Sequence, residues 1–245
     1  MEQQINNELQ ILCLGSGSSG NCYLLGKGEE YIMVECGLPF KSIINKLAEM
    51  EINIDQIKGL CISHSHKDHS LSINELESLG IPILAPWREE NGEKIWKPTD
   101  WLKVRPFPVI HDVACYGFVF LTTDNESVLF ITDTRYIESN IISDYRYNYI
   151  MVECNHIRKQ LEAIMDKAIL EGNESKVFKF KRQASYHLSL AGVRKMLKGM
   201  DLSQTKAIFL THLSKECCND DVIKKDIFQM TKIRTLVCLR NGGIN

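Results

Sequence analysis

The sequence predicts an α/β fold, because short apolar runs alternate along the chain with segments whose apolar residues recur at helical spacing. With 245 residues, of which 44% are hydrophobic, the chain can fill the core of one sizeable α/β domain or of two small ones. Three histidines and one aspartate are concentrated between His64 and His69, where an apolar run ends in a loop. This cluster indicates a metal site at the end of a strand.

The predicted strands are runs of β-branched, leucine and aromatic residues bounded by glycine, proline or polar turns. In chain order they lie at Leu9–Leu14, 22–25, 31–34, 59–62, 81–85, 104–110, 116–122, 127–132, 149–152, 206–210 and 236–239. The prolines within 104–110 favour an edge position for that strand. The strands at 116–122 and 127–132 predict a hairpin closed by Thr123–Glu126.

The predicted helices carry an apolar face and a recognisable start signal. They begin after Pro39, at Ser72, after Asn155, at Ser189 and near Asp220. Ser72 with Glu75 predicts a capping box, and Asn155 is the predicted N-cap of the third helix. The polar region Trp87–Trp101 has little periodicity, so it is interpreted as an insertion or surface loop, with a substrate lid or an oligomer contact as the sharper alternative.

Composition restricts the class of protein. Nine cysteines without a CxxC pattern indicate reduced thiols rather than a disulfide framework or a zinc ribbon. The polar N-terminus and the lack of a long apolar stretch predict a cytoplasmic protein with no membrane partner. A net charge of −2 lacks the basic excess of a protein that binds mainly by neutralising phosphates, although it allows a local basic patch.

The histidine motif itself predicts two metals. His64 and His66 point the same way at strand spacing and can share one ion, while Asp68 and His69 turn toward a second. The segment Ser63–His69 resembles the HxHxDH signature of the metallo-β-lactamase fold. This resemblance implies an αββα sandwich, formed as a single domain over residues 1–245.

The same resemblance supplies the remaining ligands, since motifs like those of the superfamily recur at the ends of later strands. It assigns His64, His66 and His111 to metal one, Asp68, His69 and His212 to metal two, and Asp133 as the bridge. Two divalent ions are therefore expected, with Zn²⁺ the best match to the imidazoles and Mn²⁺ fitting the more oxygen-rich site. Such a pair can provide a hydroxide that attacks phosphorus.

The resemblance also suggests catalytic residues. Asp68 would orient the hydroxide, and His187, in a segment like the GHxS motif of the phosphodiesterase branches, would protonate the departing oxygen. Tyr186 replaces the glycine that normally precedes this histidine. Glu35 stands where relatives usually have an aspartate that braces the metal loop.

Four residues are candidates for contacting the substrate. The loop that begins with Gly15 resembles one that borders the substrate in the same branches, and Asn155 belongs to an ESNH-like segment. The predicted substrate-binding residues are Ser16, Ser18, Asn21 and Asn155.

Several functions remain open. The motifs resemble the WalJ/YycJ branch, associated with DNA exonuclease activity, and the tRNA 3′-processing endonucleases. They also resemble the phage-encoded anti-Pycsar enzymes, homodimers that degrade cyclic mononucleotide immune signals in the cytoplasm of the bacterial host. The slightly acidic balance favours a small cyclic nucleotide over nucleic acid as the partner. A di-iron redox protein or a non-catalytic metal-binding protein is the alternative from a different class.

Overall fold

The computed structural model describes residues 8–89, 94–137 and 145–245. Within them, the first sheet has the order β1-β2-β3-β4-β5, formed by β1 (Gln10–Gly15), β2 (Cys22–Lys27), β3 (Glu30–Val34), β4 (Ile57–Cys61) and β5 (Ile83–Leu84). The second has the order β12-β11-β10-β9-β8-β7-β6, formed by β6 (Trp96–Thr99), β7 (Leu102–Val109), β8 (Cys115–Thr122), β9 (Ser127–Ile131), β10 (Tyr149–Glu153), β11 (Ala207–Thr211) and β12 (Arg234–Val237).

Helices cover the outer faces of both sheets. They are α1 (Phe40–Glu49), α2 (Lys67–Ser70), α3 (Ile73–Ser78), α4 (Arg158–Leu170), α5 (Glu174–Tyr186), α6 (Leu190–Lys198) and α7 (Asp220–Thr231), with short 3₁₀ turns at Ile54–Gln56 and Pro86–Arg88. None of these helices, within the described ranges, combines the length and apolarity needed to cross a bilayer.

Three apolar layers hold the elements together. The two sheets pack face to face through residues such as Ile32, Phe118 and Phe130. Leu47 of α1 belongs to the core on the outer face of the first sheet, and Val193 of α6 to the core on the outer face of the second. The predicted αββα sandwich is therefore confirmed.

The direction of the strands determines at which edge of the sandwich the polar loops lie. β3 is parallel to β4, and β10 is parallel to both β9 and β11. β7 runs the same way as β9, because both pair antiparallel with β8. Ligand sites in such sheets lie beyond the carboxyl ends of the strands, and the loops after these strands converge there.

Both predicted side-chain caps are wrong. Ser72 donates its hydroxyl to the carbonyl of Leu38 at 2.6 Å and forms no cap on α3, so the expected capping box with Glu75 does not form. Helix α4 begins after Ile157, so Asn155 is not its N-cap. The side-chain amide of Asn155 instead donates to the backbone carbonyl of His212. Helix α5 was not predicted, because its buried Phe180 lies among charged residues that give little apolar periodicity.

The region Trp87–Trp101 is only partly irregular. Residues 90–93 fall outside the described ranges, but Trp96–Thr99 forms strand β6, and the Trp96 ring lies against Gly59 within the intersheet core. The surface-loop interpretation is wrong for this part. Because β6 lies outside β7 in the sheet, the edge position predicted for the strand at 104–110 is wrong, although the described pairs of β6 reach only as far as Val104.

Candidate metal centre

The residues predicted as metal ligands all follow the carboxyl end of a strand. His64 and His66 follow β4, Asp68 and His69 lie on the short helix α2, and His111, Asp133 and His212 follow β7, β9 and β11. Because those strand ends meet at one edge of the sandwich, seven side chains from distant parts of the sequence converge.

The first group consists of three imidazoles and one carboxylate. His66 Nδ1 lies 2.9 Å from His64 Nε2 and 3.3 Å from His111 Nε2. Asp133 Oδ2 lies 3.7 Å from both His64 Nε2 and His111 Nε2. One ligand atom from each of the four residues falls within 4.8 Å of the others, so the group can surround a single ion.

The second group combines Asp68, His69 and His212. Asp68 Oδ2 lies 3.5 Å from His69 Nε2 and 3.3 Å from His212 Nε2. Asp133 Oδ1 approaches His69 Nε2 at 3.5 Å. Asp133 therefore offers one oxygen to each group, which is the geometry that a bridging carboxylate requires.

Backbone strain marks this edge of the molecule. Glu35, Asp133 and His212 adopt left-handed conformations, with φ of 64°, 45° and 52°. Non-glycine residues rarely adopt such angles, which cost on the order of 1–3 kcal/mol each and persist where surrounding structure enforces them. The strain is concentrated where the loops turn their polar side chains toward one another.

Glu35, one methylene longer than the expected aspartate, braces the segment Ser63–His69. The side chain is fully buried, and its carboxylate accepts a hydrogen bond from the backbone N–H of Ser63 at 3.3 Å. Glu35 Oε1 lies 3.5 Å from His69 Nδ1, an electrostatic contact longer than a normal hydrogen bond. A carboxylate at this nitrogen favours the tautomer that leaves Nε2 free for a metal.

Burial and charge set the protonation states of the two groups. Burial lowers the pKa of His64, His66 and His111, so these imidazoles are neutral. Burial also opposes the ionisation of Asp133, but the neighbouring imidazoles of His212 and His69 outweigh it and hold its pKa well below the usual value. Neutral imidazoles and ionised carboxylates are the forms that bind metals.

The second group carries more charge. Burial lowers the pKa of His212, yet Asp133, Asp68 and Glu153 together raise it to about 10. The pKa of His69 is also raised, since the carboxylates of Asp133 and Glu35 outweigh the effect of its burial. These imidazoles hold a proton until another cation takes its place.

A buried carboxylate orients His187. Glu153 Oε1 accepts hydrogen bonds from the backbone N–H groups of Thr134 at 2.7 Å and Leu188 at 3.1 Å, and Oε2 lies 3.0 Å from His187 Nδ1. Burial lowers the pKa of His187, but Asp133 and Glu153 outweigh it and raise the value. The role of Glu153 was missed in the sequence, where its signal was an acidic residue at the carboxyl end of a predicted strand.

A cavity of about 340 Å³ opens onto these groups. Besides candidate ligands, it is lined by His187, Ser18, Asn155 and Gln183, and by the cations Lys67, Lys179, Arg182 and Lys215. Asn155 donates to the backbone carbonyl of His212 at 3.0 Å, so it both supports a candidate ligand and faces the cleft.

Two of the predicted substrate contacts have buried roles in this structure. Ser16 accepts a hydrogen bond from the His212 backbone N–H at 2.9 Å, and Asn21 donates to the Asp68 carbonyl at 3.1 Å. Neither residue is among those that line the cavity, whereas Ser18 of the same loop is. Ser16 and Asn21 therefore support the segments that carry the candidate ligands.

Comparison with known proteins agrees with this geometry. Residues 15–90 match the model of the metallo-beta-lactamase superfamily. Exodeoxyribonuclease WalJ of Streptococcus pneumoniae serotype 2 is 28% identical over 229 residues, covering 83% of this chain and 81% of that protein. Exodeoxyribonuclease YycJ of Bacillus anthracis is 27% identical over 173 residues, covering 60% of this chain and 63% of YycJ, less than two thirds of its length.

Two solved structures share the fold at low identity. The metallo-beta-lactamase fold protein YhfI from Bacillus subtilis superposes with a TM-score of 0.70 at 16% identity, covering 97% of this chain and 98% of that one. The short form of human tRNase Z gives a TM-score of 0.63 at 13% identity, with 96% and 98% covered.

Proposed function

Because the chain carries a metallo-β-lactamase superfamily domain, we propose that it is a metal-dependent phosphodiesterase that hydrolyses DNA. The observation that carries this proposal is the placement of His187, held by the buried Glu153, on the cleft that opens onto two ligand groups that share Asp133. Superfamily membership alone does not specify the reaction.

The seven converging residues are the proposed metal ligands. His64, His66 and His111 would hold one ion, Asp68, His69 and His212 the other, and Asp133 would bridge. Zn²⁺ is the proposed metal, with Mn²⁺ the alternative in the second group, which has more oxygen ligands. Two such ions would supply an activated water and stabilise negative charge on the phosphate oxygens.

The protein residues would handle the protons. Asp68 accepts a hydrogen bond from the attacking water and so directs its oxygen toward phosphorus. As the new P–O bond forms and the ester P–O bond breaks, His187 would give its proton to the departing oxygen, and the proton lost by the attacking water would pass to solvent. Glu153 holds the ring in position through Nδ1, at 3.0 Å, and favours its protonated form.

DNA is favoured as the substrate for two reasons. The relatives WalJ and YycJ are named as exodeoxyribonucleases. In addition, the cleft is lined by four cations although the whole chain has a net charge of −2. The argument against a polymer from the overall charge therefore does not apply to the surface that would meet it.

A 3′,5′-cyclic mononucleotide is the second candidate. The cavity of about 340 Å³ lies at the low end of the roughly 300–1,000 Å³ of small-molecule sites, which suits one nucleotide. Under this alternative the protein would be a phage-encoded homodimer that degrades a cyclic nucleotide immune signal, as the resemblance to the anti-Pycsar enzymes implies.

The test is a paired hydrolysis assay on protein of measured metal content. Single- and double-stranded DNA are compared with a panel of cyclic mononucleotides, using Asp68→Ala and, as a matched control, the exposed residue Asp166→Ala. We expect turnover of DNA that Asp68→Ala abolishes and Asp166→Ala retains. Turnover of cyclic nucleotides alone would replace DNA as the substrate, and iron without hydrolysis of either would favour the redox alternative.

A further inference from the structure

Helix α5 turns a cationic face toward the candidate metal centre. Lys179 and Arg182 are three residues apart, so they lie on the same side of the helix. Both line the cleft, together with His187 immediately beyond the helix. Lys215, in the loop after β11, lines the same cleft.

Arg182 is held in place rather than free in solvent. Its Nε donates to Asp112 Oδ2 at 2.8 Å, and Nη2 donates to the same oxygen. Asp112 Oδ1 lies 3.4 Å from His66 Nε2, the ring nitrogen opposite the one that faces the first group. The guanidinium is therefore fixed beside the candidate metal centre, with 41% of its side chain exposed.

The cleft is positive apart from its candidate ligands. Lys67, Lys179, Arg182 and Lys215 are its cations, and Glu216, which pairs with Lys179, is its one acidic residue among the remaining lining residues. A guanidinium and ammonium groups around a small cavity match phosphate oxygens, which accept charge-assisted hydrogen bonds from them.

We propose that Arg182, Lys179 and Lys215 bind the phosphates that flank the scissile phosphodiester, so that the protein selects a strand over a single nucleotide. This inference rests on the proposed function and adds the basis of substrate choice. A cyclic mononucleotide has one phosphate, which the metals would take, and it would leave this face without a ligand.

The decisive measurement separates flanking phosphates from the scissile one. Bis(p-nitrophenyl) phosphate is a phosphodiester without neighbours, and single-stranded oligodeoxynucleotides of two to twelve nucleotides add phosphates one at a time. We expect Lys179→Gln and Lys215→Gln each to lower kcat/KM on the longer strands about tenfold and to reduce the salt dependence by about one phosphate contact. On bis(p-nitrophenyl) phosphate, which has no flanking phosphate, the loss should be clearly smaller than on the longer strands.

Lys181→Gln is the matched control. Lys181 is on the same helix and carries the same charge, but it lines a different cavity with Phe178. It should behave like the parent on every substrate. Arg182→Lys, which keeps the charge and loses the planar fork, should fall between the parent and Arg182→Gln on long strands.

A DNA-binding measurement without turnover tests the proposed binding face separately from the proposed hydrolytic function. Anisotropy of a labelled twelve-nucleotide strand in EDTA should report weaker affinity for Lys179→Gln and Lys215→Gln than for Lys181→Gln. Equal affinity in all three would overturn the inference, as would an equal loss of activity on both substrate types. Lysine-dependent binding by a protein that hydrolyses no phosphodiester with Zn²⁺ or Mn²⁺ would instead refute the proposed function and retain the binding face.

Discussion

The two ligand groups share Asp133 but differ in charge. In the first group, His64, His66 and His111 have pKa values lowered by burial. In the second, the pKa values of His69 and His212 are raised by surrounding carboxylates that outweigh burial. Both groups are largely enclosed, so burial alone does not explain the difference.

Neighbouring carboxylates explain it: Asp133 and Asp68 raise the pKa of His212 ahead of Glu153, and Asp133 raises that of His69 ahead of Glu35. Glu35 lies 3.5 Å from His69, and Glu153 lies 3.6 Å from His212, and both carboxylates are fully buried. Beside the first group lies Asp112, whose charge is neutralised by Arg182. The first group is thus neutral before any metal binds, whereas a metal at the second group would have to displace protons.

Asp133→Asn should give the largest effect, because it removes the one residue common to both groups. Asparagine tolerates the left-handed backbone at this position, so the fold should survive. We expect metal content to fall at both sites and kcat/KM to fall at least about a thousandfold, equivalent to roughly 4 kcal/mol.

Elemental analysis and hydrolysis assays on the same preparation check this prediction, with circular dichroism to verify folding. Asp124→Asn is a suitable control, since Asp124 is an exposed residue of the hairpin turn that pairs only with Lys27 in the described part of the chain. Retention of two metals by Asp133→Asn would contradict the bridging assignment.

Glu153→Gln tests the role of the buried carboxylate that lies beside His212 and His187. The amide keeps the acceptor for the backbone N–H groups of Thr134 and Leu188 but removes the charge beside His187. Since Glu153 helps to raise the pKa of His187, its loss should lower that pKa. We expect kcat to fall about a hundredfold and its alkaline limb to move to lower pH.

The pH profile of kcat is the measurement that separates this role from a structural one. The exposed residue Glu171 provides the control Glu171→Gln, which should leave the profile unchanged. A uniform loss of activity without a shift of the alkaline limb would argue that Glu153 only supports the fold.

Gly37→Ala should disturb the second group through the backbone. A Cβ at Gly37 would lie 1.8 Å from the carbonyl oxygen of Asp68, so helix α2 would have to move. We expect a loss of about 3 kcal/mol in the free energy of unfolding, measured with denaturant, and weaker metal binding in the second group only. Gly172→Ala is the control for metal binding: its Cβ would meet nothing within 4 Å, so its left-handed φ of 65° should cost only about 1 kcal/mol in stability and leave the metals unaffected.

Sequence reasoning predicted an α/β fold because the strands are apolar runs with polar ends, and the resemblance of Ser63–His69 to a known signature predicted the αββα sandwich. The resemblance to the superfamily motifs identified His111, Asp133 and His212, which the structure brings beside the histidine motif. It could not show that Lys179 and Arg182 face the cleft, since a charged helix without strong apolar periodicity gives no sign of its orientation.

Composition also could not show which residues of the loop after β1 are buried and which face the cleft. Ser16 and Ser18 are equivalent as residues, but the turn formed at Gly17, with φ of 134°, buries the first and leaves the second on the cleft. Glu35 and Glu153 were present in the sequence as ordinary acids, and only tertiary packing places them against His69 and His212. The charge difference between the groups is therefore a property of the fold.

The pH dependence of stability in the metal-free protein is the smallest effect that this difference predicts. The pKa of His212 is raised from 6.5 to about 10, so its protonated form stabilises the fold fully below pH 6.5. That contribution is lost as the pH rises toward about 10, and the melting temperature should fall by at least about 3 °C across this interval. Saturating Zn²⁺ should flatten this pH dependence, because the metal replaces the proton. A metal-free protein that is equally stable at both ends of this pH interval would contradict the charged state assigned to the second group.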